Sequence, residues 1–167
     1  MFETKPVSPA AIPRAIDKAE HYRLLNEPWA AESICLDILQ AQPGHQQALR
    51  TLLLARTDQF GADAGQGVER AREALAQLTD PYERAYCEGL ICERRARAQM
   101  EQRAPGAGFI AYEWLREAMA SFEEAERIRP AGNDDAILRW NACARLLNES
   151  PHIVPRGEEE REPAFGE

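Results

Sequence analysis

Four cysteines and three histidines are the residues of this sequence best able to bind a metal ion or to act as nucleophiles. They are Cys35, Cys87, Cys92, Cys143, His21, His45 and His152. A tetrahedral zinc site needs thiolates or imidazoles that converge, yet the cysteines form no CxxC pair and the histidines are scattered along the chain. Cys87 and Cys92 would lie about 500° apart around a helix, so they face different ways. We therefore expect no structural metal and no nucleophilic relay, and we interpret the cysteines as small buried apolar side chains.

The spacing of glycines and acids gives no support for phosphate binding or acid and base catalysis. No lysine follows the glycines between Gly61 and Gly67, and their spacing is not that of a phosphate-binding loop, which favours a flexible turn between helices. Adjacent acids such as Glu123 and Glu124 diverge by about 100° on a helix, which indicates a solvated face. The sequence thus predicts a protein that is not an enzyme and that binds no cofactor.

One basic cluster could contact an acidic partner segment. Its members are Arg94, Arg95, Arg97 and Arg103. Pairing with the neighbouring acids is the favoured alternative, because these acids lie within a turn or two of the arginines on one helix. The acids concerned are Glu88, Glu93 and Glu101.

The three tryptophans are large enough either to stack on a ligand or to fill a core. Trp114 and Trp140 recur with apolar residues at helical spacing, which favours core packing for both. Trp29 lies in the first turn of its predicted helix, where we expect it to be half exposed.

Composition and charge restrict the class of protein. The chain has 167 residues, of which 44% are apolar and 29% charged, so we expect one domain and no membrane-spanning segment. The net charge of -8 opposes binding to nucleic acid or to an anionic membrane surface. Residues Met1 to Ile12 do not resemble a secretory signal, and the cysteines suggest no disulfide framework, so we expect a cytoplasmic protein.

Helix-forming residues dominate, and apolar residues recur at three and four positions, which predicts an all-α fold of about seven helices. We expect helices near 8–25, 28–41 and 45–60, a fourth that ends near 78, and a long fifth that begins at Pro81. Apolar residues from Ile110 to Ala125 mark the sixth, and those from Ala136 to Leu147 mark the seventh. A glycine at position 89 is tolerable inside the fifth helix if a neighbouring helix packs closely there.

Two stretches of the sequence carry a repeated pattern. The spacing of the second helix of a tetratricopeptide repeat is found at Ala118, Phe122, Ala125 and Pro130. The same register is matched near the start of the chain by Tyr22, Ala31 and Pro43. There, Cys35 and Ile38 occupy the aromatic and second alanine positions. The chain therefore resembles the tetratricopeptide repeat family, as found in bacterial helical repeat proteins. The resemblance covers most of Ala11 to Asn148 and departs from the pattern between Gln59 and Gly108.

The resemblance implies a right-handed superhelix of three antiparallel helix pairs, with a seventh helix as a cap whose outer face carries Arg139 and Arg145. It also implies that the first helix of each pair lines a concave groove for a peptide or subunit. The residues expected to face this groove are Glu20, Arg23, Arg50, Tyr86, Asn141 and Arg145. The family's carboxylate clamp is not reproduced, since Ile16 and Glu20 stand at the matching first-repeat positions.

The function that this resemblance implies is that of a non-catalytic scaffold or adaptor that binds a protein partner. One alternative is a dedicated accessory subunit or chaperone of a larger enzyme or secretion complex, and another is an unrecognised enzyme or metal protein. A further possibility is that the groove arginines only pair with nearby acids while the partner binds the convex face.

The chain end differs in composition from the rest. Residues 149–167 contain three prolines, two glycines, six glutamates and two arginines, for a net charge of -4. Such a segment buries too little apolar surface to offset its ordering entropy, which predicts a helical domain over 1–148 and a disordered acidic tail over 149–167. Removing the tail is expected to change thermal stability little, although Ile153, Val154 or Phe165 could anchor it.

Overall fold

The computed structural model describes residues 1–61 and 64–157. Of Ala64, it describes only the backbone. Within these residues the chain is all-helical and contains no strand, as the sequence predicts. A short 3-10 turn at Pro9–Ala11 precedes seven α-helices. These helices are α1 (Ile12–Leu24), α2 (Pro28–Ala41), α3 (Gln46–Asp58), α4 (Ala64–Leu75), α5 (Pro81–Glu101), α6 (Ala107–Ile128) and α7 (Asp135–Glu149).

Proline and capping side chains determine where several helices begin. Pro28 and Pro81 each occupy the first position of a helix, where the missing N–H costs nothing. The carboxylate of Asp80 accepts a hydrogen bond from the backbone N–H of Glu83, and Nδ1 of His45 accepts one from the N–H of Ala48. The proline and aspartate signals are readable from the sequence, whereas the histidine cap is not.

Two helix boundaries differ from the prediction. The helix expected near 8–25 opens with the 3-10 turn at Pro9–Ala11, so its α-helical part begins at Ile12. The predicted turn from Gly61 to Gly67 is too long, because α4 begins at Ala64 and includes Gly65 and Gly67. Its strong apolar stripe, which includes Val68 and Ala71, is buried against α3 and outweighs the low helix propensity of glycine.

Each helix packs against the next one in the chain, and the odd-numbered helices also touch, with α1 against α3 and α3 against α5. One core cluster joins α1 to α5 around Leu49, Leu53 and Ile91, and a second joins α5 to α7 around Leu115 and Phe122. The partly buried Trp114 packs against both clusters, so its indole joins the two halves of the core.

Helices α5 and α6 pack closely against each other at Gly89. A Cβ added at Gly89 would lie 2.4 Å from Cε1 of Phe122, so only glycine leaves room for this aromatic ring. The expectation that a neighbouring helix packs closely at this glycine is confirmed.

The predicted core roles of the cysteines and tryptophans can be compared with their burial. All four cysteines are buried, and Trp114 is partly buried, as expected. Trp140 packs against the second cluster while its Nε1 donates a hydrogen bond to Glu123 Oε1 at 2.9 Å. Trp29 is 67% exposed. No helix in the described part of the chain has the length and apolar character needed to cross a membrane.

The chain that follows α7 returns to the body. Ile153 is only 3% exposed and packs in the second cluster, while the carbonyl of His152 lies against Gly108 near the start of α6. The folded body therefore includes Ile153, beyond the boundary expected at 148. Residues 158–167, with Phe165, lie outside the described part, and their disorder stays a prediction.

Candidate partner-binding surface

The odd-numbered helices present polar side chains along one side of the molecule, which we call the odd-helix face. It consists of Glu20, Arg23 and Leu24 on α1, Gln47, Arg50, Leu54 and Asp58 on α3, Glu83, Tyr86, Arg94 and Arg97 on α5, and Arg139 on α7. Spacings of three, four and seven residues, or their sums, keep each helix's members on one side of that helix. Ion pairs between the helices then join these sides into a single surface.

Asp58 links three of these helices. Its Oδ2 lies 2.7 Å from Nε of Arg23 on α1, and its Oδ1 accepts a hydrogen bond from Nη1 of Arg94 on α5. Arg94 also donates to the carbonyl of Leu54 at 3.3 Å and to the hydroxyl of Thr57. Burial lowers the pKa of Arg94, and the charge of Asp58 partly offsets that effect. The guanidinium is therefore held in place by several acceptors.

Glu93 links α5 to α7. Its side chain is fully buried, and its Oε2 lies 2.7 Å from Nη2 of Arg139, while its Oε1 lies 3.2 Å from Nη2 of Arg97. A buried carboxylate requires such partners, since an unpaired buried charge costs several kcal/mol. The predicted pairing of the basic cluster with Glu93 is thus present for Arg97, whereas Arg94 pairs with Asp58 and Arg95 lies over the ring of Trp114.

Arg50 lies between two clefts. The first has a volume of about 420 Å³ and lies between α1 and α3, where Glu20, Leu24 and Leu54 help to line it. The second, of about 230 Å³, lies between α3 and the start of α5 beside Glu83. Arg50 borders both clefts, and its Nε lies 3.3 Å from Oε2 of Glu83.

Tyr86 lies near the middle of the face and is half-buried. Its ring stacks on Tyr82 with centroids 5.8 Å apart and tilts against Phe122 at 5.9 Å. Burial raises the pKa of Tyr86, as does the charge of Asp135, so the phenol is neutral at physiological pH. The ring thus offers a rigid aromatic surface with a polar end, a combination common at binding sites.

The structure brings together Glu20, Arg23, Arg50 and Tyr86, four of the six residues predicted to face a partner. It does not place the other two with them. Asn141 and Arg145 lie about 200° and 240° around α7 from Arg139, which is the residue that contacts Glu93. The expectation that Arg139 lies on the outer face of the cap is therefore wrong, because its guanidinium is drawn to the buried carboxylate on α5.

Asp58, Glu83 and Arg139 also belong to this surface, although they were not predicted to face a partner. The apolar register of α3 and α5 could have placed Asp58 and Glu83, since each lies on the same side as Arg50 or Arg94. Arg139 gave no comparable signal, because its partner Glu93 is 46 residues away in sequence.

A second polar cluster lies inside the helix stack. Glu32 on α2 is buried, with Oε1 3.1 Å from Nε of Arg56 and close to Nη2 of Arg70, while its Oε2 accepts a hydrogen bond from Gln59 at 2.8 Å. Burial raises the pKa of Glu32, but these hydrogen bonds and positive charges outweigh it and lower the pKa overall. The cluster joins α2, α3 and α4 and has all its acceptors occupied, so it is structural.

The cysteines do not form a reactive site in the described residues. Burial raises the pKa of each thiol to about 12, so all four are protonated at neutral pH and are poor nucleophiles. Throughout residues 1–61 and 64–157, no three histidine, cysteine, aspartate or glutamate side chains are grouped as metal ligands.

Comparison with known proteins adds no family assignment. No family model, no curated protein and no solved structure matches the chain.

Proposed function

We propose that this protein is a tetratricopeptide-like helical repeat protein that acts as a non-catalytic scaffold and binds a partner polypeptide on its odd-helix face. The packing supports the repeat register, because the signature residues Ala31, Ala118, Phe122 and Ala125 are all buried. Contacts of α1 with α3 and of α3 with α5 also fit a stack in which the first helices of the pairs lie side by side.

One observation carries the functional proposal. Five arginines from four different helices lie on one face, and a half-buried tyrosine lies among them. The arginines are Arg23, Arg50, Arg94, Arg97 and Arg139. Arginine and tyrosine are enriched among the residues that dominate binding energy at interfaces. A surface composed in this way is suited to a polypeptide partner.

The test is affinity purification from the native cell with quantitative mass spectrometry. The tagged wild-type protein is compared with the variant that carries Arg50→Gln and Tyr86→Ala, and with Arg116→Gln, a change of an exposed arginine on α6. We expect a partner that the double variant loses and the control retains, while circular dichroism shows equal helicity for all three. Equal recovery of every partner by the double variant would contradict a role for the odd-helix face.

A dedicated accessory subunit is the second candidate, and exposed apolar side chains favour it. Trp29 and Leu36 lie seven residues apart on one side of α2, and both are exposed. Leu25, directly after α1, is exposed as well. An obligate subunit would cover such residues permanently. The same purification separates the two functions, since a subunit is recovered with its partner in constant stoichiometry whereas a scaffold is largely free.

A further inference from the structure

We propose that the odd-helix face recognises an acidic polypeptide segment that carries a large apolar side chain, and that Glu83 competes with this segment for Arg50. This inference rests on the proposed function and adds the chemistry of the partner. It depends on the distribution of charge over the face, the shape of the cleft beside Arg50 and the single ion pair that holds Arg50.

The ion pairs of the face contain more arginines than carboxylates. Its five arginines share three carboxylates, because Asp58 serves both Arg23 and Arg94, Glu93 serves both Arg97 and Arg139, and Glu83 serves Arg50. Glu20, in the first cleft, and Asp135, whose charge acts on Tyr86, bring the carboxylates of this region to five, so the sign of the exposed charge depends on how deep each group lies.

Depth separates the two signs of charge for three of the five arginines. The side chains of Asp58, Glu83 and Glu93 are 23%, 27% and 0% exposed, whereas those of Arg50, Arg97 and Arg139 are 45%, 51% and 36% exposed. Arg23 and Arg94 lie as deep as Asp58, at 20% and 26% exposed. Each guanidinium has five N–H groups, so the three more exposed arginines retain donors that point away from the acids below them. A partner that approaches this face meets arginine first, although the whole chain carries a charge of -8. Charge complementarity therefore selects carboxylates.

The cleft between α1 and α3 accounts for the apolar part of the segment. Leu24 is 86% exposed at one wall, and Leu54 lies at another. The volume of about 420 Å³ exceeds that of a leucine or phenylalanine side chain, so a large apolar group can enter and cover Leu24. Carboxylates on either side of that group would then lie near Arg23 and Arg50.

Arg50 is the arginine best placed to exchange partners. Its contact with Glu83 is one ion pair at 3.3 Å between half-exposed groups, and such pairs contribute little to stability. A carboxylate of the incoming segment could instead bind the guanidinium through two parallel hydrogen bonds. Because Glu83 must first release Arg50, its charge weakens binding of the segment, and removing that charge is expected to strengthen it.

A peptide library displayed on phage tests the chemistry without knowledge of the natural partner. Selection on the wild-type protein at low ionic strength is expected to enrich peptides with several aspartates or glutamates next to a leucine, isoleucine, phenylalanine or tryptophan. Affinity of the best peptide, measured by fluorescence anisotropy, is expected to fall about tenfold for Arg50→Gln and to fall with added salt.

The Glu83→Gln variant tests the competition directly. We expect it to bind the same peptide about twofold to fivefold more tightly, which corresponds to the loss of one exposed ion pair. Its matched control is Glu69→Gln on α4, and Arg116→Gln on α6 is the control for Arg50→Gln. Both controls should leave the affinity unchanged.

Three results would overturn the proposal. They are a selection without enrichment of acidic residues, an affinity that Arg50→Gln leaves unchanged, and equal binding of heparin and the peptide, which would show a general anion site. Weaker binding by Glu83→Gln would overturn the competition alone. If the native partner is lost by the Arg50→Gln and Tyr86→Ala variant while acidic peptides fail to bind, the proposed function stands and the partner chemistry is wrong.

Discussion

Two glutamates, Glu32 and Glu93, are buried in this helical core, and each is held by two arginines. Those on Glu32 come from α3 and α4, whereas Glu93 pairs with Arg97 on its own helix and with Arg139 on α7. Their exposures of 7% and 0% would be costly for unpaired carboxylates. Each therefore fixes the relative positions of the helices around it: Glu32 joins α2, α3 and α4, whereas Glu93 joins α5 and α7. The sequence marks neither residue as different from the many glutamates on exposed helix faces, because burial depends on neighbours far along the chain.

Glu32 should make the stability of the protein depend on pH. Its pKa is lower in the folded state than its ordinary value of 4.5, so the unfolded chain binds more protons at acidic pH. The stabilising contribution is complete above the ordinary pKa and is lost as the pH falls through the lower folded pKa. Urea unfolding should show Glu32→Gln to be about 1–3 kcal/mol less stable than wild type at neutral pH, with a smaller difference in acid.

The matched control is Glu124→Gln, which changes an exposed pair with Arg127 on the surface of α6. We expect this variant to differ from wild type by less than about 1 kcal/mol at every pH. A Glu32→Gln deficit that stays constant into strong acid would contradict the charged network described for this residue.

At the scale of the helices, the close approach of α5 and α6 depends on a single missing side chain. Gly89→Ala should destabilise the protein by about 1–3 kcal/mol, because the new Cβ would overlap the ring of Phe122. Gly65→Ala is the matched control, since a Cβ at that helical position meets no other atom and alanine favours the helix. Thermal unfolding distinguishes the two, and a stabilising Gly89→Ala change would contradict the packing of these helices.

The segment after α7 provides the second test at this scale. Ile153→Ala should lower the free energy of unfolding by about 2–4 kcal/mol, because the isoleucine fills a buried position of the second cluster. Val154→Ala is the control, since Val154 is exposed. Truncation after Asn148 would remove Ile153 as well, so we now expect it to lower the melting temperature. Equal stability of Ile153→Ala and wild type would show that this segment does not dock in solution.

Local signals in the sequence were enough to predict most helices but not how each one is rotated. Apolar spacing together with Pro28 and Pro81 placed both ends of α2 and the start of α5. The start of α4 was missed because its glycines have low helix propensity, and only its packing on α3 compensates. The side of α7 on which Arg139 lies was also mispredicted, because it depends on the carboxylate of Glu93 on α5.

The whole molecule combines an acidic chain with a surface on which three arginines, Arg50, Arg97 and Arg139, are more exposed than the acids they pair with. The four predicted residues on this face could be inferred because the repeat register assigns α1, α3 and α5 to one side. The repeat register did not predict which ion pairs join these helices into one surface. Asp58 and Glu93 each pair with an arginine that is distant in sequence. The proposed function requires a partner to bind this side of the helix stack.

Site-specific photocrosslinking in the native cell tests whether a partner binds the odd-helix face. A benzoylphenylalanine placed at Gln47, at the rim shared by both clefts, is compared with one at Ala120, which is exposed on α6. We expect a crosslink to one partner from position 47, lost when Arg50→Gln and Tyr86→Ala are added, and none to that partner from position 120. Crosslinks to the same partner from position 120 but not from position 47 would contradict the account.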